Sequence, residues 1–83
     1  MHEADQQALT CTVIRELTLN PYALWLHYVS VGGNFDLQPV IRYIAGSGAL
    51  PCRERDRISC AVNDLTLEPR WRPRAPYSYA DPF

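Results

Sequence analysis

Cys11, Cys52 and Cys60, together with His2 and His27, are the side chains of this sequence best suited to ligating a metal or attacking an electrophile. A zinc centre needs ligands that converge, usually with a Cys-x₂₋₄-Cys pair, and no such pair occurs. Placed on one helix, Cys52 and Cys60 would stand ~12 Å apart by helical rise, too far to share an ion. The spacing therefore predicts no metal. Three cysteines without paired spacing also predict reduced, structural thiols and no disulfide framework. As a nucleophile Cys52 is the best placed, near a predicted helix start and beside Arg53 and Arg55, conditions that lower a thiol pKa. Its base would have to be His27, which sits inside an aromatic segment with no sequence sign of pairing. Gly46-Ser47-Gly48 lacks the following Gly-Lys-Ser/Thr of a phosphate-binding loop. These residues predict neither an enzyme nor a bound cofactor.

Binding chemistry concentrates at the C-terminal end. Trp71, Tyr77, Tyr79 and Phe83 are interleaved with Arg70, Arg72 and Arg74, and with Pro69, Pro73, Pro76 and Pro82. Aromatic and arginine side chains are the types that dominate interface energetics. The prolines forbid a regular helix and stiffen an extended chain, which lowers the cost of ordering on binding. These seven aromatic and arginine residues are the sequence candidates for a partner-binding site. An alternative role for the segment is to fold back as a lid, with Trp71 over the central helix.

The elements that must carry these residues are helical. Leu9, Val13 and Leu17 recur at i, i+4, i+8 with Ile14 beside them, predicting a helix over 4–19. Asn20-Pro21 supplies an N-cap and an N1 proline for a second helix over 21–31, which is apolar nearly all round. Its Trp25 is expected in the core, with Val13, Leu17, Ile41 and Ile44 as neighbours. Gly32-Gly33-Asn34 stops that helix. Leu37, Val40, Ile41 and Ile44 predict a third over 36–45, closed by Gly46-Ser47-Gly48. Ile58, Ala61, Val62 and Leu65 predict a fourth over 52–65, with Arg53-Glu54-Arg55-Asp56-Arg57 as its solvated first turns. The alternation of Ile58, Cys60 and Val62 before Asn63-Asp64 leaves a hairpin at 58–68 as the alternative. The fold class is thus all-α, a small bundle of three to four short helices with an extended C-terminal tail. The division is a helical domain, 1–68, and an extended or disordered tail, 69–83; the alternative is α+β.

Leu50-Pro51-Cys52-Arg53-Glu54-Arg55-Asp56-Arg57-Ile58 resembles the segment that opens the helix-turn-helix of LuxR-type regulators and of the C-terminal region of sigma factors. That resemblance implies DNA binding through a later recognition helix, but Leu67-Glu68-Pro69 ends regular structure before one could form. With 8 basic and 9 acidic residues the net charge is −1, so no global field draws the chain to nucleic acid or an anionic membrane. The longest apolar stretch, 22–31, is too short for a membrane span. The polar, acidic start of the chain is unlike an export signal, so the expected location is the cytoplasm. The sequence accordingly reads as a small non-enzymatic protein-interaction or regulatory module of a bacterial-type cytoplasmic protein. Its partner would be another protein or a second copy, bound through the tail or an aromatic helix face. The second reading is a nucleic-acid-associated accessory protein of a transcription complex, signalled by an Arg stripe through Arg53, Arg57, Arg70 and Arg72.

Overall fold

The computed structural model describes residues 1–66 and 75–78. It contains four helices, α1 (Glu3–Glu16), α2 (Pro21–Ser30), α3 (Leu37–Ile44) and α4 (Cys52–Leu65), with no strand among the described residues. Helix α4 packs on α1 and most extensively on α2, and α3 also contacts both α1 and α2. The hairpin alternative at 58–68 gives way to a helix that continues through Asn63-Asp64 to Leu65. Burying Ile58, Ala61 and Val62 completely on one helical face decides this, because a strand would turn alternate residues away from the core.

Each junction follows from local chemistry. The Asn20 side chain accepts hydrogen bonds from the Tyr22 and Ala23 backbone N–H groups at 2.9 and 3.0 Å, capping α2 ahead of Pro21. Helices α1, α2 and α3 all end in the same paired arrangement of backbone bonds: Thr18 N–H to Arg15 O with Leu19 N–H to Ile14 O, Gly32 to Val29 with Gly33 to Tyr28, and Gly46 to Tyr43 with Ser47 to Arg42. This Schellman geometry needs a left-handed residue just past the helix. Gly32 and Gly46 provide it at φ 103° and 92°, whereas α1 uses a β-branched residue, Thr18, at φ 52°. That conformation costs a side chain about 1 kcal/mol or more. Thr18→Gly should therefore raise stability by about 0.5–1 kcal/mol in urea unfolding; a lower midpoint in the variant would refute the assignment of strain.

The core differs from the sequence expectation in three places. Leu9 is 47% exposed, and the buried residues of α1 are instead Gln6, Thr10, Cys11, Val13 and Ile14, two of the five polar. Trp25 lies at the rim, packed partly against the core with its indole N–H donated to the Phe35 carbonyl at 3.1 Å. Among the described residues the fully buried aromatics are Tyr28 and Tyr43, in one cluster with Leu24, Val40, Ile58 and Val62. Third, the charged opening of α4 is not a solvated face, since Glu54 and Arg55 are both buried. Arg55 donates to Gln6 Oε1 and to the Leu50 carbonyl, each at 2.8 Å, with Glu3 3.7 Å away. Those acceptors compensate the desolvation that would otherwise keep a guanidinium outside.

Candidate interaction surface

Helix α2 has two apolar faces and the bundle covers only one. Leu24 and Tyr28, at i and i+4, are fully buried. On the opposite side Tyr22, Leu26 and Val29, at i, i+4 and i+7, are 55%, 48% and 43% exposed, forming one continuous stripe. Trp25 borders the stripe, its ring 5.9 Å from that of Tyr22. The helix carries no Asp, Glu, Lys or Arg from Pro21 to Ser30. Isolated exposed apolar residues are ordinary on a protein surface, but a neighbouring aromatic and aliphatic set on one helix face is the composition of an interface centre.

The groups considered for catalysis are not brought together. His27 Nε2 lies 3.0 Å from Asp64 Oδ2, near the C-terminal end of α4. Cys52 opens the same helix, so the candidate nucleophile and base are ~18 Å apart along it by helical rise. Cys60, half-buried, has its sulfur 3.8 Å from the same Asp64 oxygen. Burial first, and then the Asp64 carboxylate, push the Cys60 thiol above its ordinary range, against hydrogen bonding from Tyr77 and the charge of Arg57. Such a thiol stays protonated and is a poor nucleophile. Cys11 is buried with its thiol pKa raised by desolvation, which suits the structural role expected of the cysteines, whereas Cys52 is exposed and departs from it. Among the described residues no group of three His, Cys, Asp or Glu side chains is arranged to hold a metal ion. A shallow depression along α1, lined by Ala4, Ala8, Cys11, Thr12 and Arg15, gathers no acid–base pair.

The arginines of α4 do not form an exposed row. Arg53 is exposed and Arg55 is buried, while Arg57 is half-buried with its Nε enclosed and close to Gly32. Of the tail candidates, Trp71, Tyr79, Phe83, Arg70, Arg72 and Arg74 lie outside the described residues, and only Tyr77 falls within them, half-buried.

The short segment around Tyr77, Ala75–Ser78, is held by α4 through side chains that sequence reasoning passed over. Asn63 pairs with both backbone groups of Ala75, accepting its N–H at 2.8 Å and donating to its carbonyl at 3.0 Å. Ser59 donates to the Pro76 carbonyl at 2.6 Å. Asp56 accepts the Ser78 N–H and hydroxyl, both at 2.6 Å. These residues fall between the positions of the apolar stripe, where polar side chains read as ordinary surface; only the i, i+3, i+7 recurrence of hydrogen-bonding types hinted at a shared face. No described helix is long and apolar enough to cross a membrane. Comparison with known proteins finds no matching family model, curated protein or solved structure.

Proposed function

We propose that this chain is a small non-enzymatic interaction module that docks a protein partner through the outer face of α2. The observation carrying this reading is the exposed stripe Tyr22–Leu26–Val29 on a helix without a charged residue. Covering that stripe removes apolar surface from water at roughly 25 cal/mol per Å², and Tyr22 with its neighbour Trp25 supplies the rigid aromatic area that anchors interfaces. Support for a role outside catalysis comes from the separation of Cys52 from His27 and from the protonated state of Cys60.

The experiment is quantitative affinity purification with the full-length chain, its Leu26→Arg variant and a Leu9→Arg control on α1. Leu26→Arg should leave stability within about 0.5 kcal/mol, as for other exposed positions. Proteins retained by the parent should fall at least about tenfold with Leu26→Arg, the loss expected at an interface centre, and persist with Leu9→Arg. Recovery of the same proteins in equal amounts with all three chains would overturn the proposal.

A further inference from the structure

The apolar set on the outer face of α2 matches itself. Tyr22, Trp25, Leu26 and Val29 lie at i, i+3, i+4 and i+7, a spacing that reads the same from either end. A two-fold axis perpendicular to the helix, passing between Trp25 and Leu26, therefore lays a second α2 antiparallel on the first with the set in register. Trp25 of one copy then meets Leu26 of the other, and Tyr22 meets Val29. Each pair is level along the helix: at about 1.5 Å of rise per residue, the outer pairs stand ~5 Å from the two-fold and the inner pairs within ~1 Å. Every contact sets an aromatic ring on an aliphatic side chain, so bulky rings never compete for one place.

The polar groups of the helix fit the same contact. A two-fold interface buries each group of the face twice, so a single formal charge there would be desolvated twice. Helix α2 has none: it carries no Asp, Glu, Lys or Arg, and His27 is turned aside to Asp64 on α4 at 3.0 Å. The Trp25 indole N–H is already donated to the Phe35 carbonyl, so its ring enters a dry contact with no donor left over. Tyr22, in the first turn, falls at the rim of the pair, where a hydroxyl stays in water. The antiparallel arrangement also sets each positive N-terminal end of α2 beside the negative C-terminal end of the other.

We propose that the outer face of α2 pairs with the same face of a second copy, giving a two-fold antiparallel dimer; this rests on the docking face proposed above and names its partner. Such a contact covers the stripe on both copies at once and leaves none over, so assembly stops at two. Tyr22, Leu26 and Val29, each about half exposed, with the rim of Trp25, offer roughly 300–400 Å² per copy, against the ~800 Å² that each partner gives to a standard interface. A patch of that size holds a reversible dimer, half-formed at roughly 10–100 μM, and not a permanent one.

Sedimentation velocity of the full chain from ~1 μM to ~1 mM should show the mean mass rise from one chain to two. Leu26→Arg should keep the parental urea midpoint yet raise the half-point of association at least about tenfold, while Leu9→Arg leaves it in place. The register has its own test. Tyr22→Lys and Val29→Glu chains should each be monomeric at ~100 μM, but their equimolar mixture should dimerise. The two-fold sets the new lysine of one chain against the new glutamate of the other and keeps a Val29–Tyr22 pair on the far side. In a mixture of ¹³C-labelled and unlabelled parent chains, intermolecular NOEs should join the Tyr22 ring to the Val29 methyls and the Trp25 ring to the Leu26 methyls. A monomer at every concentration, a dimer indifferent to Leu26→Arg, or a mixture no more associated than its separate chains would overturn the proposal. A monomeric parent whose captured proteins still depend on Leu26 ends the self-pairing alone, whereas capture and association both indifferent to Leu26→Arg end the docking face as well.

Discussion

Gly33→Ala should abolish cooperative folding. A Cβ at this position would fall on the hydroxyl-bearing end of the Tyr28 ring, far inside any tolerable contact. The ring has no room to retreat: it is fully buried, its hydroxyl donates to Glu54 at 2.5 Å, and that oxygen accepts the Phe35 N–H at 3.0 Å. Overpacking in a core that relaxes typically costs about 1–3 kcal/mol and more where the neighbours are held. A single core of this size rarely supplies more than about 3–5 kcal/mol, so the variant should show no unfolding transition in urea followed by circular dichroism. Gly32→Ala is the comparison. There the penalty is a left-handed backbone and a contact with the Arg57 side chain at 3.1 Å, which should cost about 1–2 kcal/mol and leave a measurable transition. A Gly33→Ala chain with a midpoint near that of the parent would mean that the Tyr28 ring is not seated as described.

Removing the Glu54 carboxylate should destabilise the chain nearly as much. Its Oε1 accepts the Tyr28 hydroxyl and, at 3.1 Å, the Asn34 backbone N–H, so one buried oxygen ties α2, α4 and the connecting loop together. Glu54→Ala strands both donors, for an expected loss of about 2–4 kcal/mol. Glu54→Gln keeps an acceptor but loses its charge, and should lose about half as much. Tyr28→Phe combined with Glu54→Ala should cost less than the sum of the two changes, since each removes the same bond.

The same carboxylate predicts an acid dependence. Burial pushes its pKa up, but the hydrogen bonds from Tyr28 and Asn34 outweigh burial and leave it below the ordinary 4.5. A group whose folded pKa is depressed contributes stability that is complete above its unfolded pKa and is lost as pH falls through the folded one. The parent should therefore weaken more steeply below about pH 4.5 than Glu54→Gln, as read from urea midpoints across pH 3–6. Equal slopes would place the acid sensitivity in other groups. Tyr28, pushed up to about 12 mainly by burial and by the Glu54 bond, stays protonated throughout that range and remains the donor.

Where an element starts or stops was legible because the signals are covalent and local. Asn20-Pro21, Gly32-Gly33 and Gly46 mark junctions through capping oxygens and left-handed backbone that adjacent residues alone decide. Helix α1 ends at Glu16, short of the Leu19 to which its apolar spacing reads on, because Thr18 is left-handed although its residue type does not favour that conformation. The exposed half of the α2 face was legible only as an excess. A helix apolar on all sides has no preferred direction in its sequence, and packing on α3 and α4 selected Leu24 and Tyr28 for the interior over Tyr22 and Leu26.

By itself, then, the sequence determined the all-α class, the approximate extents of the described helices, and the apolar stripe of the second half of α4, because propensity, caps and period act over a few residues; on α3 the spacing picks out the buried Val40 and Ile44 but passes over the buried Tyr43. Only the tertiary structure decided which polar groups go inside. Gln6, Glu54, Arg55, Ser59 and Asn63 are buried although their types and positions read as surface. Each is inside because its partner lies far along the chain: Gln6 meets Arg55, Glu54 meets Tyr28, and Asn63 meets Ala75. A buried polar side chain is tolerated only when its hydrogen bonds are made. Those bonds exist only once helices distant in sequence have packed, so periodicity carries no trace of them.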